Sequence, residues 1–396
     1  MKVIGIDVSS RNADYGIAVT GSKPVYKGTF AMDRTGMESL LSDKDAEGSD
    51  VLFLMESTGL YHLPLYHFLL NRGKRALIIN PVLIRGYKKS LSLRNTKTDR
   101  IDAKAIAEYG IDRAASLPEG KNVTDTESQI IARRRAANAE ETGKAKTILK
   151  QDLAVAFPEL LSMDVFTEGM LHFLALFGSP REVLDASDEA LENALLIPGK
   201  GRKVTLTAKR LRELAGDSVG VSLHGLCVRD SAKRVIECAE RDAMLTAALL
   251  KVEKDIHPED IDIVSSMPGI GEVEAAQFMA EVGDIHRFAT YQKLIAYMGT
   301  DPGVYQSGQS NVRGHISKHG DAVLRKYVFL MAKGSIANNP VFGDYYRKKR
   351  SQTVTINGVE LKRPYRKAMV DTMNKLVRVL HFMLTNGVMY APEKKS

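Results

Sequence analysis

Between Met1 and Pro118, short apolar runs alternate with longer amphipathic stretches, and this alternation constrains the fold more than any other feature of the chain. Lys2–Val8 (KVIGIDV), Tyr15–Val19 and Val25–Phe30 have strand length and are joined by short polar turns, Ser9–Asp14 among them, so they are expected to pair antiparallel. A helix from about Gly36 leads to the apolar run Val51–Glu56. A second, over Leu60–Asn71, leads to Arg75–Ile79, and Asn80-Pro81 breaks the chain before a basic segment, Leu83–Lys97. Three antiparallel strands followed by parallel ones make a mixed α/β sheet.

Two of these runs end in an acid, Asp7 and Glu56. The stretch Thr96–Tyr109 (TKTDRIDAKAIAEY) then offers Thr98 as a helix N-cap, with Ile101, Ala105, Ile106 and Tyr109 at helical spacing, which puts Asp99 and Asp102 on one face. Alone, that pair would simply suit the positive end of a helix dipole. Four converging acids are a stronger demand, because like charges about 4 Å apart repel by roughly 4 kcal/mol at an effective dielectric near 20. Such a group needs a cation, and hard carboxylate oxygens suit Mg²⁺ or Mn²⁺.

The net charge of +8 and pI near 9.2 point to an anionic partner. A charge run is usually a solvated face, but Arg85, Lys88, Lys89, Arg94 and Lys97, interleaved with Tyr87, lie beside the acids and read as phosphate contacts. No apolar run reaches the length of a membrane span, and the chain opens on a strand with no charged leader, so a cytoplasmic protein is expected. Cys227 and Cys238 are the only cysteines, and with no CxxC pair or Cys/His cluster in view no zinc site is expected.

After a polar link, Pro118–Thr124, Thr126 is a plausible cap for Glu127–Ala156, which has no proline, a single glycine and the run Arg133–Arg135. Its apolar positions are too sparse for heptads, so helices packing through small residues are expected. Short helices over Pro180–Leu184, Asp188–Leu196, Val204–Leu214 and Asp230–Lys251 read as scaffold. Met267–Asp284 pairs a glycine-rich turn with an amphipathic helix and resembles the helix-hairpin-helix motif, with Gly269 and Gly271 offering amides to a DNA phosphate and Val273, Ala276, Phe278 and Met279 as core. Leu294–Val328 holds a glycine-rich loop with Ser307, Ser310, Arg313, His315, Lys318, His319 and Arg325; a serine in such a loop is ordinarily a turn former. The chain closes on the basic runs Arg347–Arg350 and Lys362–Lys367 and on a helix with Met369, Met373, Leu376, Val377, Leu380 and Leu384 as one core stripe.

GIDVSS with Asp7, MESTG with Glu56, Asn80-Pro81, and KTDRIDA with Asp99 and Asp102, in that order, resemble the transposases of the IS110 class. The resemblance implies a ribonuclease H-like (RuvC-like) mixed sheet over 1–118 whose DEDD set, Asp7, Glu56, Asp99 and Asp102, binds divalent metal. It implies a helical, coiled-coil region over 119–256 that pairs subunits, and a mainly helical transposase domain over 257–396. In that domain a YxSG-like segment followed by G-x-IS-K-x-GD, here YQSG and GHISKHGD, carries a catalytic serine; Ser307 is the matching position and Ser310 the second choice. The implied activity is a DNA recombinase that excises and inserts a mobile element as a homo-oligomer, guided by an element-encoded RNA. Arg313, Lys318, Arg325, Arg347 and Lys348 would then contact nucleic acid. Three rivals compete with this reading: a RuvC-like junction nuclease whose acids activate water, a non-enzymatic DNA-binding scaffold, and an actin-like sugar kinase, which opens similarly but needs a second phosphate loop not visible here.

Overall fold

The computed structural model describes residues 1–48, 50–56, 59–79, 81–91, 98–114, 127–196, 205–307, 310–356 and 359–392. They form two compact units, Met1–Asp125 and Thr126–Ser396.

In the first unit, strands β1 (Lys2–Val8), β2 (Asn12–Val19) and β3 (Val25–Ala31) are followed by α1 (Arg34–Leu41), β4 (Val51–Glu56), α2 (Leu63–Asn71), β5 (Arg75–Ile79), α3 (Pro81–Leu91) and α4 (Asp99–Asp112). The sheet order is β3-β2-β1-β4-β5, with β2 antiparallel to β1 and β3, and with β1, β4 and β5 parallel. The mixed α/β sheet is therefore as expected. Strands β1 and β4 sit at its centre and are apolar on both faces, which is why they read as near-continuous hydrophobic runs. Ile4, Ile6, Phe53 and Met55 pack against Met37 and Leu40 of α1 and Leu65 and Leu69 of α2. On the other face Val3, Leu52 and Leu54 meet Ile84 of α3 and Ile106 of α4. Each fully buried side chain of this size contributes about 1.5–3 kcal/mol.

Two expectations need correction here. Strand β2 begins at Asn12, so the turn after β1 is shorter than the sequence suggested, with the Ser9 amide and hydroxyl both donating to the Asn12 carbonyl, at 3.0 and 2.6 Å. The basic segment after the Asn80-Pro81 break, to which no element was assigned, starts on a helix: Pro81 opens α3, as a proline can where the missing N–H has no helical partner. Asn80, Arg94, Lys97 and Thr126 lie outside the described residues.

The second unit is built on a long antiparallel pair, α5 (Glu127–Ala156) and α10 (Gly225–Ile256). Between them in the chain come α6 (Glu168–Leu176), α7 (Pro180–Asp185), α8 (Asp188–Ala194) and α9 (Ala208–Gly216). Small side chains, Ala132, Ala136 and Ala145, are among the buried residues of α5, and the Asn138 amide ties it to α10 by donating to the Cys238 carbonyl at 2.8 Å. One end of the pair, with Leu149 and Leu153, shares a core with α6 to α9. The other end, with Ala132 and Leu249, joins a second core formed with α11 (Pro258–Ser265), α12 (Glu272–Val282), α13 (Tyr291–Met298), α14 (Ala322–Asn338), α15 (Pro340–Ser351) and α16 (Tyr365–Asn386). The expected stripe on α16 is buried throughout. Two short hairpins interrupt the helices: β6 (Pro302–Ser307) with β7 (Ser310–Ile316), and β8 (Thr353–Ile356) with β9 (Val359–Lys362). No helix among the described residues is long and apolar enough to cross a membrane.

Candidate active site

Helix α4 places the acids. It runs antiparallel to β1 across the face that carries Val3, Gly5 and Asp7, and a Cβ on Gly5 would collide with the Ala103 carbonyl and the Ala107 nitrogen. Gly110, further along the helix, stands over Val3 and Leu54 in the same way. The face that packs is therefore the small one, Ala103, Ala107 and Gly110, whereas Ile101, expected in the apolar set, is exposed. This crossing leaves the start of α4 over the carboxyl ends of β1 and β4. Thr98 caps the helix as expected, its hydroxyl accepting from the Ile101 amide at 3.3 Å. Asp99 and Asp102 follow in the first turn, Asp102 buried and Asp99 exposed.

The strands bring the other two. Ile6 is in register with Met55 on the parallel neighbour, so Asp7 and Glu56 lie side by side one step on, both on the α4 face. Asp7 is half-buried, and its carboxyl is raised from 3.8 to about 6, first by burial and then by the charges of Asp102, Glu56, Asp99 and Asp14. The four predicted acids thus share one end of the sheet, and the charges of the other three bear on Asp7. Lys88 of α3, expected to contact phosphate, instead makes an ion pair with Asp102. Tyr87, read as part of the basic surface, is buried, donates to Asp112 and packs edge-on against Tyr109. Arg85 and Lys89 remain exposed on α3.

A fifth carboxylate was missed. Asp14, assigned by sequence to a turn, is the Cα partner of Asp7 across the β1–β2 ladder and accepts hydrogen bonds from Tyr26 and Thr29 at 2.6 and 2.8 Å. The start of β2 at Asn12, ahead of the expected Tyr15, hid it. The donor set at this end of the sheet consists of carboxylate oxygens, and their mutual repulsion is the term a hard divalent cation would reverse, so the residues fit Mg²⁺ or Mn²⁺.

In the second unit Ser307 ends β6 and Ser310 begins β7, and the two are partners at the tip of the hairpin. Arg313 is on β7. The base of the hairpin is tied down by backbone contacts: Gly299 and Gly320 approach so closely that a Cβ on either would meet the other's chain, Lys318 takes φ 55°, and its amide donates to the Gly299 carbonyl at 3.1 Å. Ser317 donates to Asp301 at 2.6 Å. Asp321 caps α14, accepting from Val323 and Leu324, and binds Arg133 of α5 at 3.0 Å. Arg133 also reaches Glu281 at 3.3 Å, a buried acid raised to about 7 by burial and by the charge of Asp321.

The expected nucleic-acid residues are dispersed. Lys318, Arg347 and Lys348 are exposed, with Arg347 paired to Asp344 at 2.7 Å. Arg325 donates to the Met298 carbonyl at 2.9 Å, so it serves the end of α13. Gly269, at φ 92°, packs against the Gly334 backbone of α14, and Glu272 and Glu274 occupy the first turn of α12 beside Gly271. The fold alone therefore accounts for Gly269, and the two acids oppose an anion there.

The expectation of no Cys/His cluster also fails. Asp152 of α5, His224 at the N-cap of α10 and Cys227 in its first turn bring one carboxylate oxygen, one ring nitrogen and Sγ within 4.8 Å of one another. The local spacing His224-x-x-Cys227 was the available signal; Asp152 is too distant in sequence to have been added to it.

Residues 4–158 match a family model for a DEDD-type IS110 transposase, and residues 261–347 match a model described as Transposase IS116/IS110/IS902 family. The chain is 23% identical over 336 residues to a transposase for insertion sequence element IS1111A of Coxiella burnetii, an alignment covering 82% of this chain and 75% of that one. An insertion element IS110 protein of Streptomyces coelicolor is 27% identical over 209 residues, 53% of this chain and 43% of its own. A pilin gene-inverting protein of Moraxella bovis is 26% identical over 147 residues, 36% of this chain and 45% of its own.

Proposed function

The chain belongs to the IS110 family of transposases and is a DNA transposase or recombinase, and from that premise we propose that it cuts and rejoins DNA with a metal-binding acid set and a serine nucleophile. One observation carries the first half of this reading: Asp7, Glu56, Asp99 and Asp102 share one end of a β3-β2-β1-β4-β5 sheet, and Asp7 is raised to about 6 in their company. That strand order, with α4 laid over the acid ends of β1 and β4, supports a ribonuclease H-like fold. The α11–α12 pair with its turn at Met267–Ile270 supports a helix-hairpin-helix reading, although the packing of Gly269 on Gly334 makes its phosphate role the weakest of the proposed contacts.

Asp7, Glu56, Asp99 and Asp102 would hold a divalent ion, which would neutralise charge on a phosphoryl oxygen and lower the proton affinity of a hydroxyl beside it. Ser307 Oγ attacks phosphorus, the Oγ–P bond forms, one P–O bond to deoxyribose breaks, and the freed sugar oxygen leaves as a hydroxyl. The serine's proton passes to water, and water supplies the proton that the leaving sugar oxygen takes up. The ester conserves the phosphodiester bond, so attack by a second DNA hydroxyl restores the serine and joins new strands. Element-encoded guide RNA and subunit pairing through α5 and α10 complete the proposal, with Arg85, Lys89, Arg313, Lys318 and Lys348 as backbone contacts.

The direct test is DNA cleavage by the full chain with and without chelator. The reading expects loss in chelator, recovery with Mg²⁺ or Mn²⁺, and a drop of 10³-fold or more for Asp102→Asn with DNA binding retained, a magnitude on the order of that for losing a principal catalytic group. Undiminished cleavage in chelator, or by Asp102→Asn, would remove the acid set from the chemistry.

A further inference from the structure

We propose that Asp152, His224 and Cys227 form a zinc site that clamps the start of α10 to the carboxyl-terminal part of α5, separate from the acid set. The three side chains offer one oxygen, one nitrogen and one sulfur, all within 4.8 Å of one another. Tetrahedral Zn²⁺ with bonds of 2.0–2.3 Å has ligand-to-ligand edges of about 3.3–3.7 Å. His224 Nε2 already lies 3.0 Å from Asp152 Oδ1, so small side-chain adjustments suffice. A thiolate, an imidazole and a carboxylate together favour zinc over the hard cations that the carboxylate set of the first unit would take.

Three further features point the same way. Ser231, one turn beyond Cys227, donates to the other carboxylate oxygen, Asp152 Oδ2, the kind of outer contact that fixes a ligand's orientation. The N-cap residue His224 makes no side-chain capping bond, so its ring is turned to Asp152 instead of serving the helix end. The approach to the site is fixed by the backbone: the Val221 amide donates to the Val155 carbonyl at 2.8 Å, and Gly220 sits so close to the Ala156 carbonyl that a Cβ would collide with it. Cys227 is exposed while Asp152 and His224 are half-buried, so the site can be reached from solvent.

The test uses the full chain with Co²⁺ as a spectroscopic substitute for zinc. The wild type is expected to bind one equivalent with a thiolate-to-cobalt charge-transfer absorption, which a carboxylate-only site cannot give, and Zn²⁺ is expected to displace it. Cys238→Ser, which alters the buried thiol on α10, should keep the band. Cys227→Ser should lose it, and Asp152→Asn should weaken binding about 10-fold or more, as loss of a ligand does. In parallel, Zn²⁺ should raise the thermal midpoint of the wild type and of Cys238→Ser but not of Cys227→Ser. Because Cys227 is exposed, the metal-free midpoint of Cys227→Ser should match that of the wild type. Absence of the band in the wild type, or its persistence in Cys227→Ser, would overturn the proposal.

Discussion

Asp7 and Glu281 are ordinary acids by sequence and unusual ones by position. Asp7 is legible because it closes an apolar strand. Asp14 beside it is not, since β2 starts at Asn12 and not at Tyr15, and only that earlier start pairs Asp14 with Asp7. Glu281 was read only as part of an amphipathic helix, because the residues that define it, Gln129, Arg133 and Asp321, come from two other elements. Its Oε1 is buried without a hydrogen-bond partner, which favours the protonated form. With its carboxyl raised from 4.5 to about 7, the folded chain holds a proton that the unfolded chain has already lost between those values. Stability should therefore fall as pH rises from about 4.5 to 7, by at most about 3 to 4 kcal/mol, since one unit corresponds to about 1.4 kcal/mol. Glu281→Gln should flatten that window and exceed the wild type at pH 8 in urea unfolding; parallel pH profiles for the two proteins would contradict the assignment.

At the scale of elements, helices and strands are legible where burial repeats along the sequence, as on α16, or runs unbroken, as on β4, and less so where contact is made by small residues. Ile101 drew attention on α4, yet the helix lies on β1 through Ala103, Ala107 and Gly110 because Gly5 has no side chain. Such a close approach leaves no hydrophobic signal, since neither partner is bulky. It does set the acids, because raising α4 off the sheet would carry Asp99 and Asp102 away from Asp7. Gly5→Ala should therefore destabilise the first unit by about 1–3 kcal/mol, the usual range for overpacking, and reduce DNA cleavage even at temperatures where the chain remains folded. Chemical denaturation followed by a cleavage assay checks both; a variant as stable and active as the wild type would mean that the helix does not need this contact. The hairpin carrying Ser307 shows the same limit: Gly299 and Gly320 set its base through a mutual approach that only the folded chain reveals.

For the whole molecule, the net charge of +8 was the coarse signal of an anionic partner, and the structure redistributes it. Lys88 is engaged with Asp102 and Arg325 with a helix end, while Arg85, Lys89, Lys318, Arg347 and Lys348 remain on the surface. If six to ten phosphates are neutralised across the complex, DNA affinity should fall by about 10³ to 10⁵ between 50 and 200 mM salt, as measured by equilibrium binding, and a flat response would argue against backbone recognition. The central claim is that strand exchange passes through a serine ester, and it is tested most directly by trapping covalent protein–DNA adducts on denaturing gels with the wild type and with Ser307→Ala and Ser310→Ala. The account predicts an adduct for the wild type, none for Ser307→Ala despite retained DNA binding, and a residual adduct for Ser310→Ala; full strand exchange by Ser307→Ala, or cleavage without any adduct in the wild type, would contradict it.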